Sequence, residues 1–412
     1  MQPAASKNTP HNALPPAAQK RALSTLFFIA FINLVGFGIV IPLLPFYGRA
    51  FEASATEVTI LFSAYSLGMF ISEPLWGRLS DRIGRKPVLV MTLAGNVLSY
   101  AVLAFAQSYE MVLLVRFAAG ALGGNISTCQ AYVADVTPPD MRARRMGLIG
   151  AAFGIGFTLG PAVGGLLAHG REGLEAFMVP MLAASAMSAL ALLGTLLFLR
   201  ESNQHMHEAR DLSLPKITSL GIVKRPVVGR VLFGTLMMAA GFSGMESTFG
   251  LWAEDHLGLG VSRVGLIFAY IGILVAFSQA VIVGRVVSAL GERNTLLAGY
   301  GIMATSLATL PLSPNVWVQF IPTGGIAIGM ALASPTVNAI LSKASANHEQ
   351  GRVIGLNMAT SAFSRIFGPI LAGFVYATLG PGSSFLTSAA LMCAAFCVAL
   401  GISHHLRTGE DI

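Results

Sequence analysis

Apolar runs of about 20 residues recur along most of the chain, and the charged residues fall mainly in the short segments between them. A helix rises about 1.5 Å per residue, so it needs about 20 apolar residues to cross the hydrocarbon layer of a bilayer. Measured against that length, the sequence predicts twelve spans, near 22–46, 57–77, 87–107, 111–136, 146–169, 176–199, 228–251, 262–286, 294–312, 316–342, 352–378 and 384–404. An even number puts both termini on one side of the membrane.

Composition agrees with this reading. Only 11% of the 412 residues are charged and 54% are hydrophobic, whereas a soluble domain carries about 25% charged residues. A chain so poor in charge presents most of its surface to lipid, and the expected fold class is an all-α integral membrane protein. Residues 1–19 lack the apolar core of a signal peptide, so the first apolar run is expected to remain as a span.

Lys and Arg set the orientation. With the N-terminus cytoplasmic, the inner segments hold Lys20 and Arg21, then Arg78, Arg82, Arg85 and Lys86, then Arg142, Arg144 and Arg145, and a further cationic group from Arg200 to Arg230. The outer segments hold only Arg49, Arg171 and Arg263. Both termini are therefore expected in the cytoplasm.

The net charge of +7 does not indicate nucleic-acid binding, because the cations lie in loop clusters and form no basic stripe. Three cysteines sit inside apolar runs without metal-ligand spacing, so neither a disulfide framework nor a metal site is expected. There is no phosphate-binding Gly-rich loop and no convincing catalytic constellation, so neither an ATP-driven pump nor an enzyme is expected, and no cofactor is implied.

The two halves read as copies. "GRLSDRIGRKP" at 77 has a degraded counterpart, "GRVVSALGERN", at 284, and "RRMGLIGAAFGIGFTLGPAVGG" at 144 is echoed by "RVIGLNMATSAFSRIFGPILAG" at 352. The two offsets are nearly equal, and repeated halves are a recurrent plan of secondary transporters. The expected organisation is a tail over 1–21, a six-helix bundle over 22–199, a cytoplasmic linker over 200–227, a second six-helix bundle over 228–405, and a tail over 406–412.

Ionisable residues inside spans are candidates for function, because charge in hydrocarbon is expensive. They are Glu73, Arg116, Glu246 and Arg365, with Asp135 near the end of span four.

The segment 77–87 resembles the loop signature of the major facilitator superfamily at Gly77, Asp81, Arg82, Gly84, Arg85 and Lys86. "GIVIPLLP" at 38, "RFAAGALGG" at 116 and "GIGFTLGPAVGG" at 154 resemble the first-, fourth- and fifth-helix motifs of its twelve-span drug:proton antiporters, and the tetracycline-efflux-like members are the most similar. The resemblance implies two six-helix pseudo-repeats that rock about a central cavity lined by spans one, four, seven and ten. It implies a monomeric exporter of lipophilic or amphipathic small molecules, driven by protons, in a bacterial inner membrane. A metabolite uptake symporter or facilitator on the same fold is the alternative, since fold does not fix direction or substrate.

Within that frame Glu246 is the expected proton site, with Arg116 tuning it by opposing charge, and Glu73 is the other acid to test. The tetracycline exporters carry an aspartate in the first helix where this chain has Asn33, and an amide cannot exchange a proton near neutral pH. Neutral polar groups expected in the cavity are Asn33, Asn125, Gln130, Gln279, Asn338 and Asn357. Arg365 is expected to attract an anionic group or to pair with Glu73 or Asp135.

Gly154, Gly156, Gly160, Gly164 and Gly165 would let helix five approach a neighbour closely, and Pro161 would bend it. The charged loop is expected to act as a latch, with Asp81 facing the start of span eleven and Arg85 paired with Asp135.

Overall fold

A computed structural model describes residues 16–123, 125–137, 141–171, 173–202, 219–346 and 349–402. The expected tail residues 1–15 and 406–412, and linker residues 203–218, lie outside the described residues. The chain forms α1 (Pro16–Arg49), α2 (Ala55–Ile83), α3 (Arg85–Ala104), α4 (Tyr109–Leu122), α5 (Asn125–Val136), α6 (Arg142–Ala168) and α7 (Glu175–Phe198). It continues as α8 (Ser219–Val223), α9 (Pro226–Leu257), α10 (Val261–Phe277), α11 (Val283–Thr309), α12 (Val316–Lys343), α13 (Gln350–Leu379) and α14 (Ser383–Leu400). No strand occurs among the described residues.

Local chemistry explains several of the helix limits. Ser54 and Glu57 form a reciprocal capping box at the start of α2, and Ser108 and Asn315 cap α4 and α12 by accepting from backbone N–H groups. These contacts satisfy donors that a helix leaves orphaned at its first turn. At the far end of α9, Gly258 adopts the left-handed conformation that closes a helix.

Ten helices among the described residues are long and apolar enough to cross a membrane. One of these ten runs from Val261 to Leu312 through a π turn at Ser278–Ile282 and a bend at Gly291. Gly154–Ala168 of α6 is a further, shorter apolar helix among the described residues. Span four is interrupted at Gly123, which separates α4 from α5.

The repeat seen in the sequence returns in the backbone. Gly84 between α2 and α3 has φ 105° and ψ 161°, and its counterpart Gly291 has φ 76° and ψ 167°. Both values are accessible to glycine and strained for any residue with a Cβ. Helix contacts repeat as well. Helix α1 packs on α6 and α9 packs on α13; likewise α3 packs on α7 and α11 on α14. Between the two sets, α2 lies against α13 and α6 against α10.

That inter-set seam is sealed at the end bearing the α1–α2 loop. There Thr56 donates to the Gly373 carbonyl, Ser63 donates to Ile366 over 2.7 Å, and Ser262 donates to Gly165 over 2.7 Å. Arg49 and Asp255 add an ion pair of 2.7 Å, and the Tyr376 hydroxyl donates to the same carboxylate. These contacts hold the seam together at that end.

Candidate functional site

A cavity of about 90 Å³ lies between the two helix sets. Its walls include Asn33, Phe37, Tyr65, Asn96, Tyr100 and Arg116 from the first set and Ser243, Glu246, Arg365 and Pro369 from the second. This volume is smaller than the roughly 150 Å³ of an apolar cavity that accepts benzene. A drug-sized ligand therefore requires the helix sets to part.

Four of the residues singled out in the sequence converge here: Asn33, Arg116, Glu246 and Arg365. Glu246 is 5% exposed and accepts from Arg365 Nη2 through Oε2 at 3.4 Å. Its other oxygen, Oε1, is buried without a hydrogen-bond partner. Arg365 thus pairs with Glu246, and Asp135, one of its expected partners, lies instead against Arg85.

Arg116 is 4% exposed. Its guanidinium lies over the Tyr65 ring, 4.5 Å from the centroid, and its Nε donates to the Leu61 carbonyl at 3.4 Å. Among the described residues its terminal amino groups make no hydrogen bond or ion pair. A cation over an aromatic face is attracted by the ring quadrupole, which holds the guanidinium without using its N–H groups.

Asn33 accepts from Asn96 over 3.1 Å, so the amide at the first-helix position is held by a second amide from α3. Asn96 and Tyr65 were not singled out in the sequence. The rule that flagged Asn33, a polar group well inside a span, applies equally to Asn96; for Tyr65 no sequence signal distinguishes it from a packing aromatic.

The remaining polar candidates lie elsewhere. Gln279 is exposed on the π turn and is not among the residues that line this cavity. Asn338 and Asn357 belong to a separate cluster in the second set, with Thr235 donating to Asn357 and Asn357 donating to Asn338. Gln130 is half-buried on α5 and is not among the residues that line this cavity. The Asn125 side chain lies outside the described residues. Glu73, half-buried on α2, makes no hydrogen bond or ion pair among the described residues and is likewise outside the cavity.

The charged loop forms a compact network. Arg85, whose side chain is 10% exposed, bridges Asp81 at 2.6 Å and Asp135 at 3.0 Å. Glu201, absent from the sequence-based candidates, accepts from the backbone N–H groups of Arg85 and Lys86. It caps the first turn of α3, as a carboxylate at a positive helix terminus does. A Cβ on Gly84 would come within 2.4 Å of the Glu201 carboxylate, so a side chain there would push Glu201 off its cap in addition to straining φ. Arg82 lies exposed beside the network.

The helix-five glycines divide by face. A Cβ on Gly156, Gly160 or Gly164 would meet α1 at 2.6–2.7 Å, and one on Gly165 would meet Ser262 of α10 at 2.9 Å. Gly154 meets nothing within 4 Å. Pro161 is buried next to Gly38 of α1.

An all-helical fold with repeated contacts, a central apolar cavity holding a few buried charged groups, and a seam closed at one end describes a membrane transporter. The family model described as Major Facilitator Superfamily matches residues 26–357 and 278–409, and the chain belongs to that superfamily. It is 29% identical over 385 residues to the class C tetracycline resistance protein of Escherichia coli, covering 90% of this chain and 94% of that protein. It is also 29% identical over 356 residues to multidrug resistance protein 1 of Bacillus subtilis (strain 168), covering 86% and 88%. Among solved structures, a bacterial homologue of the human lysosomal transporter Spinster, in an inward-facing and occupied conformation, aligns with a TM-score of 0.77 at 16% identity, covering 94% and 97% of the two chains.

Proposed function

We propose that this chain is a proton-driven exporter of amphipathic small molecules, working by alternating access as a monomer in a bacterial inner membrane. The reading takes twelve spans, two six-helix bundles over 22–199 and 228–405, and a cytoplasmic linker over 200–227, with both termini cytoplasmic. The excess of Lys and Arg in the loops at the end opposite the sealed one supports that orientation. In it, the sealed end faces outward and the cavity communicates with the cytoplasm.

The observation that carries the proposal is the half-paired carboxylate of Glu246, buried between the bundles with one oxygen on Arg365 and one free. A carboxylate with an unused acceptor can exchange a proton for a hydrogen-bond donor of the substrate. Protonation then disfavours substrate, and substrate disfavours the proton, which is the reciprocity that antiport needs. The likeness to tetracycline and multidrug resistance proteins supports export of drug-like molecules.

The test is transport in proteoliposomes under an imposed pH gradient, with tetracycline and ethidium as first probes. Uphill movement of either that collapses with the gradient and is lost in Glu246→Gln is the expected result. Gradient-driven transport that is unchanged in Glu246→Gln removes Glu246 from the coupling.

A further inference from the structure

Two buried groups facing one cavity have opposite unmet demands. Glu246 has a buried acceptor oxygen without a donor, and the terminal N–H groups of Arg116 have no acceptor among the described residues. Both residues are more than nine-tenths buried, and both line the cavity. Buried polar groups are almost always hydrogen-bonded, so the bare Glu246 oxygen, facing the same cavity as the unused N–H groups of Arg116, points to partners supplied from outside the protein. The carboxylate comes from the second helix set and the guanidinium from the first.

From this we infer that the cavity selects dipolar molecules, in which a protonated amine and an anionic group flank an aromatic or otherwise apolar body. The ammonium meets Glu246 Oε1 and the anionic group meets the Arg116 guanidinium. A planar guanidinium with free N–H groups is suited to bind a carboxylate or enolate through two parallel hydrogen bonds. Arg365 acts as a positioning residue, since it holds Oε2 and leaves Oε1 for the ligand. Phe37 and Tyr65 supply the apolar walls between the poles.

Each singly charged relative of such a ligand leaves one buried group unsatisfied. A cation lacking the anionic pole leaves Arg116 bare, and an anion lacking the amine meets Glu246 with like charge. The class is therefore narrower than amphipathic molecules in general. The inference rests on this cavity being the substrate site.

Equilibrium binding to the purified full-length protein in detergent tests it, without any gradient. The probes are two aromatic dipoles, ciprofloxacin and naphthylalanine, each compared with its methyl ester, which keeps only the cation, and its N-acetyl derivative, which keeps only the anion. Each dipole is expected to bind at least about tenfold tighter than both derivatives, the effect of losing one charge-assisted hydrogen bond. In Arg116→Leu the dipole and its ester should bind alike, and in Glu246→Gln the dipole and its N-acetyl derivative should bind alike. Arg116→Lys, which retains the charge, should recover part of the preference, and monodispersity of each variant on size exclusion checks folding.

An ester that binds as tightly as its parent dipole in the unsubstituted protein, or the same ranking in all variants, overturns the inference. So does the absence of binding by both dipoles. Dipole selectivity without proton-driven transport would instead overturn the export reading and leave this one standing.

Discussion

Arg365 on α13 donates to Glu246 on α9 at 3.4 Å, and this is the only ion pair among the described residues that lies in the central cavity. The pair is asymmetric: the Arg365 side chain is 30% exposed and that of Glu246 is 5% exposed. The carboxylate is therefore the more deeply buried partner and depends on the cation for its one hydrogen bond.

That asymmetry gives the first prediction. Arg365→Ala should leave Glu246 without its one partner and lower gradient-driven transport by about tenfold or more, the scale for loss of a charged hydrogen bond. Arg365→Lys should retain a substantial part of the rate. Proteoliposome flux with reconstituted amounts matched by immunoblot makes the comparison. Equal rates for the two variants would show that the charge at 365 plays no part.

The second prediction concerns the sealed end. A Cβ on Gly165 would lie 3.2 Å from the Ser262 Cα, which brings the two backbones within the span of a disulfide. With Cys129, Cys393 and Cys397 replaced by Ser, the pair Gly165→Cys and Ser262→Cys should cross-link on oxidation and stop transport; since a Cβ at 165 already crowds the Ser262 carbonyl at 2.9 Å, reduction should restore the rate of the same variant before oxidation, not that of the parent. Mass spectrometry reads the cross-link and flux reads its consequence. Full transport in the cross-linked protein would mean that this seam does not open during the cycle.

Helix five supplies the third. Gly160 sits so close to α1 that a Cβ would lie 2.6 Å from Gly38 Cα, whereas Gly154 has open space. Overpacking of a tight contact costs about 1–3 kcal/mol. Gly160→Ala should therefore lower the thermal unfolding temperature in detergent by several degrees, and Gly154→Ala should leave it near that of the parent.

The all-helical membrane class could be read from the sequence because a run of about 20 apolar residues has one cheap place to go, and ten helices among the described residues are long and apolar enough to cross a membrane. The pairing of Arg85 with Asp135 was anticipated by likeness of motif, and the structure places them 3.0 Å apart. The Glu246–Arg365 pair was not legible, because the residues are 119 positions apart and their meeting depends on how two helices are rotated about their axes. The same limit explains Gly154 and Gly156, which share a motif two residues apart but fall on different faces of one helix. Gln279 was misplaced for the same reason: polarity within a span does not say which face of the helix a residue occupies, and Gln279 is exposed.

The last prediction returns to the charged loop. Arg85 is largely buried and holds two carboxylates, while Asp81 is half-exposed and paired with it at 2.6 Å. An exposed ion pair is worth at most about 1 kcal/mol, so Asp81→Asn should leave expression and thermal stability close to those of the parent. Arg85→Ala removes the common partner of Asp81 and Asp135 and should lower stability more than either acid substitution alone. If the loop takes part in the conformational cycle, Asp81→Asn should still slow transport severalfold, because a change of about 1 kcal/mol is enough to shift the balance between two states of similar energy. Flux and unfolding temperature measured on the same preparations separate the two effects. Normal flux in Asp81→Asn would restrict this carboxylate to bracing α2 against α3, and slow flux at unchanged stability would assign it to the cycle.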